Sequence, residues 1–142
     1  MKYLLDTNVL SEIRKPNGHY GVKEFVGSLR EEDIFISVLS IGEIGVGIEK
    51  LPAGSKKTEL FNWFTQSFQE RFGKRIIVLD AEIMIEWARL QVRTAKTLPV
   101  FDSLIAATAL ARRLMVVTRN TKDFENIEGI MLLNPWDNKH PK

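Results

Sequence analysis

Apolar residues in this chain fall into short runs of strand length, separated by amphipathic stretches of helical period. Lys2–Leu5 reads as a buried strand. Asp6-Thr7-Asn8 closes it with turn and cap chemistry, and Val9–Arg14 continues as a helix. After the loop Lys15-Pro16-Asn17-Gly18, the residues Val22, Phe25, Val26 and Leu29 share one helical face. Asp33–Ser37 reads as a second strand, followed by a helix opened by Ser40 and stopped near Leu51 by Pro52 and Gly54. A long amphipathic helix is expected over Ser55–Phe72, with Leu60, Trp63, Phe64 and Phe68 at helical spacing. Arg75–Leu79 is a third strand, and Asp80 caps a helix bearing Ile83, Trp87, Leu90 and Gln91. Beyond Pro99, the segment Ser103–Ala111 is apolar or small nearly all round, which predicts a helix buried on most sides. Leu114–Thr118 and Gly129–Leu133 complete five strands, and Asn134-Pro135-Trp136 ends the fold.

Strands alternate with helices and no two-residue hairpin signal occurs. The expected class is therefore α/β, one domain over residues 1–142, with a parallel sheet flanked by helices on both faces. In such sheets a site lies at the carboxyl ends of the strands. Asp6 follows the first strand directly, and Asn120 and Asp123 follow the fourth.

Composition narrows the chemistry. The chain has 142 residues, 44% hydrophobic and 27% charged, a balance that fits one globular core. It has no cysteine, which excludes a disulfide framework, a thiolate metal site and a cysteine nucleophile. The two histidines, His19 and His140, are far apart in polar surroundings and read as surface residues. Any metal would be held by oxygen, which points to Mg²⁺ or Mn²⁺. A formal charge of +2 permits a nucleic-acid partner without requiring one. The opening Met1-Lys2-Tyr3-Leu4-Leu5-Asp6 is too short and too soon acidic for a signal peptide, and no apolar run has the length of a membrane span. A cytoplasmic protein without membrane partners is expected.

Taken singly, each acid has an ordinary explanation. Asp6 caps a helix, Glu43 completes a capping box with Ser40, Asp102 caps the buried helix, and Asp123 is a solvated loop acid beside Lys122. Together they are less ordinary. Asp6 and Asp102 stand at the mouths of very apolar elements, with few basic residues placed to neutralise them. Two unit charges about 4 Å apart repel by roughly 4 kcal/mol at an effective dielectric near 20. A cluster of Asp6, Glu43 and Asp102 would therefore raise its own pKa values or bind a divalent cation. Other motifs fail. Gly42-Glu43-Ile44-Gly45-Val46-Gly47 has the wrong glycine order for a dinucleotide loop, Ala53-Gly54-Ser55-Lys56-Lys57-Thr58 lacks the leading glycine of a phosphate loop, and no histidine is placed to activate a serine.

Four segments carry a family resemblance: Leu4-Leu5-Asp6-Thr7-Asn8-Val9-Leu10, the Glu43 helix, Phe101-Asp102-Ser103-Leu104-Ile105-Ala106-Ala107-Thr108-Ala109, and Val117-Thr118-Arg119-Asn120. In this order they resemble the PIN domain, and more narrowly the VapC toxins of toxin–antitoxin pairs. The resemblance spans nearly the whole chain. It implies a five-stranded parallel sheet, a homodimer, metal-dependent endoribonuclease activity on RNA, and a cognate VapB-type antitoxin that silences the toxin. Carried over by position, Asp6, Glu43 and Asp102 are the metal-centred acids. The family often has a fourth acid after the fourth strand, where this chain has Asn120, with Asp123 one turn later.

On this reading Asp6 and Asp102 hold Mg²⁺ directly, and Glu43 holds it through water or orients the attacking water. Thr7, Asn8, Thr118 and Asn120 supply supporting hydrogen bonds. Arg14, Lys15, Arg119 and Lys122 are the candidates for phosphate contact. Two other classes remain open: an aspartate-nucleophile phosphatase, which needs a second acid where this chain has Asn8, and a non-catalytic RNA- or partner-binding module on the same fold.

Overall fold

The structure is a computed structural model and describes residues 1–137; the expectation for His140 lies outside them. Five parallel strands form one sheet: β1 (Tyr3–Leu5), β2 (Ile34–Ser37), β3 (Ile76–Ile77), β4 (Met115–Val117) and β5 (Met131–Leu133), in the order β3-β2-β1-β4-β5. The α/β class and the parallel sheet are as expected.

Side chains of a strand point alternately to opposite faces, so neighbours in sequence build different cores. Leu4 and Val116 pack with Leu90, Leu104, Ile105 and Ala109, residues of α6 (Ala81–Arg93) and α7 (Val100–Arg112). Leu5 and Val117, with Ile34 and Ile36, pack on the other face against α1 (Thr7–Arg14), α2 (Tyr20–Gly27) and the helix ending at Phe72. Both faces are covered, which explains why these strands read as unbroken apolar runs. The helix α7 is buried from Ser103 through Ala109, as its composition predicts. Its small residues let α6 approach closely, and the indole of Trp87 donates to Ser103 Oγ at 2.9 Å.

Four local readings change. First, α3 (Val38–Glu49) is capped by Ser37, three residues before the expected cap Ser40, and the Ser37 hydroxyl accepts from the Leu39 N–H. Ser40 is a buried residue of the helix, so there is no Ser40–Glu43 capping box. Second, α7 begins at Val100 with Pro99 in the cap position, so Asp102 lies in the first turn rather than capping it. Third, β3 has two residues instead of five. The Arg75 guanidinium bonds the carbonyls of Glu31 and Ile34 and anchors the sheet edge, while Val78 is solvent-exposed. A short edge strand resists pairing with other chains. Fourth, the Ser55–Phe72 helix is not uniform. Between α4 (Ser55–Asn62) and α5 (Phe68–Phe72), residues Trp63–Ser67 widen into a π-helical turn, with the Phe68 N–H bonded to the Trp63 carbonyl. The wider turn gathers Trp63, Phe64 and Phe72 around the Phe68 ring, with centroids 5.1–6.0 Å apart.

Downstream of β4, Thr121–Asp123 forms a helical turn closed by the Asp123 N–H on the Asn120 carbonyl at 3.0 Å. Phe124 follows and is 1% exposed in the α6/α7 core. Truncating it should leave a cavity beneath that turn. Phe124→Ala is expected to lower the free energy of unfolding by about 3–5 kcal/mol in urea titrations. Phe101→Ala, at a ring 44% exposed, should change it by under about 1 kcal/mol.

Candidate functional site

The strand order puts β1 and β4 side by side, with their carboxyl ends at the same edge. Asp6 leaves β1 there, its N–H donating to the Val117 carbonyl at 3.0 Å. Its Oδ1 accepts the Thr7 N–H at 2.9 Å and caps α1. Its Oδ2 accepts the Thr118 hydroxyl at 2.9 Å, across 112 residues of sequence. Thr118 is fully buried, and its oxygen also accepts from Asn8 Nδ2 at 3.2 Å and the Asn120 N–H at 3.1 Å. Asn8 Oδ1 in turn accepts the Arg119 N–H at 3.1 Å. The cap reading of Asp6 is therefore correct but incomplete, because the same carboxylate ties the exit of β1 to the exit of β4.

Glu43 reaches this edge from α3. Thr7 Oγ1 lies 2.5 Å from Glu43 Oε1 and 2.8 Å from Ser40 Oγ. A hydroxyl has one proton to give, so when Thr7 serves the carboxylate, Ser40 can turn its own proton to Thr7. Asp6, Glu43 and Asp102 line one recess of about 300 Å³ with Thr7, Asn8, Phe101, Ile105 and Asn120. Three acids and no lysine or arginine line it. Desolvation raises the pKa of Asp6, opposed by the hydrogen bonds from Thr118 and Thr7 and reinforced by Glu43 and Asp123. Desolvation also raises Asp102, and the charges of Asp123, Asp6 and Glu43 push it the same way.

Among the described residues, no three acidic or histidine side chains converge tightly enough to form a ready-made metal cage. A strict three-carboxylate cage is thus not what the expected acids build. Carboxylates with nothing positive between them repel; Asp6 turns to the Thr7 N–H and the Thr118 hydroxyl, and Glu43 to the Thr7 hydroxyl. Magnesium needs less than a cage, since it usually keeps several waters and takes one or two carboxylates. Asp6 and Asp102, desolvated and without a basic neighbour in the recess, fit that donor set.

Of the remaining expected residues, Thr7, Asn8 and Thr118 make the supporting hydrogen bonds, and Asn120 lines the recess. Asp123 is exposed and does not line it, although its charge raises both Asp6 and Asp102. Lys15 is tied to Glu12 at 3.4 Å. His19 is exposed, as expected, and its Nδ1 caps α2 through the Val22 N–H. The sequence reading missed Ser40, which lies hidden inside a helix, and it missed Phe101 and Ile105 as recess walls. The two walls are four residues apart on α7 and bracket Asp102.

The PIN domain family model matches residues 3–130. A VapC ribonuclease, Y4jK, of Sinorhizobium fredii is 31% identical over 94% of this chain and 97% of its own length. Toxin FitB of Neisseria gonorrhoeae is 34% identical over 94% of this chain and 97% of its own. A solved structure of FitAB bound to an IR36 DNA fragment contains a chain that superposes with a TM-score of 0.90 at 32% identity, covering 97% of this chain and 98% of that one.

The raised pKa of Asp102 has a definite sign in stability. A carboxyl whose folded pKa lies above its ordinary value of 3.8 costs the fold stability as pH rises through that folded value, and nothing below 3.8. Without divalent cations, Asp102→Asn should therefore be more thermostable than the parent at pH 7, and the difference should vanish by about pH 4. Melting curves across that range check this. Added Mg²⁺ should raise the melting temperature of the parent and leave the variant nearly unchanged.

Proposed function

The chain belongs to the PIN-domain family, and on that premise we propose that it is the toxin of a VapBC-type pair, an endoribonuclease that cuts RNA with a divalent cation bound at Asp6 and Asp102. One observation carries this reading. Acids brought from β1, α3 and α7 share a recess that contains no basic residue. Such a recess repels a phosphate backbone unless a cation stands between them.

Asp6 and Asp102 would hold the ion directly, and Glu43 would hold it through water. A divalent cation held there would lower the pKa of a water and offset charge developing on the phosphate. The chain's own groups do the positioning. Thr118 and Thr7 fix the two oxygens of Asp6. The Thr7 hydroxyl steadies one oxygen of Glu43 and leaves the other free to orient the attacking water. The Asn120 amide, at the recess wall, can donate to that water or to substrate. A phosphatase using Asp6 as nucleophile is the weaker reading. That class needs an acid where this chain has Asn8, and Asn8 is committed to Thr118 and Arg119. A purely RNA-binding role leaves three unneutralised acids facing phosphate.

Among the described residues no helix is long and apolar enough to cross a membrane. The proposed setting is cytoplasmic, with RNA as substrate, a VapB-type antitoxin as partner, and a homodimer as the working form.

The purified chain should cut single-stranded RNA with Mg²⁺ or Mn²⁺ and stop with EDTA; cleavage surviving EDTA contradicts the reading. Asp6→Asn and Asp102→Asn should each lower the rate at least about 100-fold with the fold intact, and Thr118→Val about 10–100-fold. Asp123→Asn should raise the Mg²⁺ needed for half-maximal rate, whereas Asn120→Ala should lower the rate at saturating Mg²⁺. An unchanged Mg²⁺ dependence in Asp123→Asn means that Asp6, Glu43 and Asp102 suffice. Expression without the neighbouring antitoxin gene should arrest growth, and co-expression should relieve it. Light scattering should give the mass of a dimer.

A further inference from the structure

The chain has nine arginines. Six of them, Arg30, Arg71, Arg75, Arg89, Arg93 and Arg112, are ion-paired with nearby carboxylates. Among the described residues three have no carboxylate within ion-pair distance, Arg14, Arg113 and Arg119, although the Arg119 charge is near enough to Glu12 to help lower its pKa. Arg113 ends α7, beside Leu114 and Gly129 at the amino edge of the sheet, far from the acids. The other two share an arrangement. The Arg14 guanidinium lies over the Trp63 ring, 5.7 Å from its centroid, and that of Arg119 lies over Trp136 at 5.1 Å.

Neither lines the acid recess, but each is joined to it by residues that do, one on either flank of β1. Thr7 and Glu43 belong to the recess and also to a groove of about 280 Å³ running between α1, α3 and α4, which Arg14, Lys56 and Trp63 line. Arg14 sits two turns beyond Thr7 on α1, about 10 Å along the helix axis. Arg119 leaves β4 on the other flank of β1. Its N–H is held by Asn8, its carbonyl accepts from Asn134 Nδ2 at 3.1 Å, and the next residue, Asn120, lines the recess.

An arginine stacked on an indole has already lost much of its rotamer freedom, yet the edge of its planar fork stays open for two parallel bonds to a phosphate. We propose that Arg14 on Trp63 and Arg119 on Trp136 form a two-sided clamp on the backbone phosphates of single-stranded RNA, one on each side of the acid recess. Cations are absent from the recess itself and stand ready at its two flanks. The strand is thereby gripped where charge must be neutralised by protein, while the middle is left to the acids. This inference rests on the ribonuclease reading for its substrate but not for its geometry.

The test is a fluorescence-anisotropy titration of the full chain, carrying Asp102→Asn so that the probe survives, with a labelled single-stranded RNA oligonucleotide at several KCl concentrations. Arg14→Gln and Arg119→Gln should each flatten the slope of log K against log[salt] by about 0.7, the loss of one phosphate contact on a single strand. The double variant should lose about twice that, and Arg113→Gln should match the parent. In the cleaving chain, each Gln variant should raise KM several-fold with kcat little changed. Unchanged slopes in both Gln variants, with melting curves intact, overturn the clamp, and a change in only one overturns its two-sidedness. A chain that cuts RNA with unaltered slopes loses the clamp and keeps the nuclease reading. A chain that cuts no RNA but shows the flattened slopes keeps the clamp and loses the nuclease reading.

Discussion

A single carboxylate organises this molecule's centre. Asp6 sits where the central strand meets solvent, and a charge there must be met by dipoles or the strand end destabilises the fold. The chain meets it three ways: an N–H of α1, the hydroxyl of Thr118 from β4, and a weak contact with the Asn8 amide at 3.5 Å. Each solution also positions something else. The α1 cap fixes Thr7, which then holds Glu43 and Ser40. The Thr118 bond aligns the exit of β4, which sets Asn8, Arg119 and Asn120.

The distribution of charge follows the same division. Most arginines stitch the periphery: Arg75 and Arg71 gather on Glu31 near the β2–β3 edge, and Arg112 pairs with Asp80 and Glu82 to fasten α7 to the start of α6. With basic side chains gathered there, nothing at the carboxyl edge offsets the desolvation of Asp6 and Asp102, and the neighbouring acids add to it, so both pKa values are raised. Stability is given up locally at the place where a cation and an anionic substrate would recover it.

The class of fold was legible because hydrophobic period is a backbone property. Leu4 and Leu5, Val116 and Val117 had to face opposite ways, so both faces of the sheet had to be covered. The burial of α7 followed from its lack of a polar face. Element ends were less legible, because competing caps look alike in sequence. Ser37 and Ser40 both precede apolar turns, and only tertiary packing decides that Ser37 caps while Ser40 is buried. The π-helical turn at Trp63–Ser67 leaves no mark in the apolar spacing, since four aromatic rings must find one another before the helix widens. For the site, Asp6, Glu43 and Asp102 could be named from their positions at element mouths. Their shared recess depends on strand order, and so do the walls made by Phe101 and Ile105.

The bond between Thr118 and Asp6 also has a consequence in time. Its two ends are 112 residues apart, so a ribosome that has made β1, α1 and α3 has made two of the three acids without the partner that holds the first in place. At roughly 5–20 residues per second, the gap between emergence of Asp6 and of Thr118 is about 6–22 s. Throughout that interval the nascent chain cannot close its recess, because Asp102 and the β4 exit are both made well after Asp6 and Glu43. Its lethal chemistry, on the reading given above, is assembled last. The cell therefore has a translational delay in which a co-translated partner can be folded and waiting.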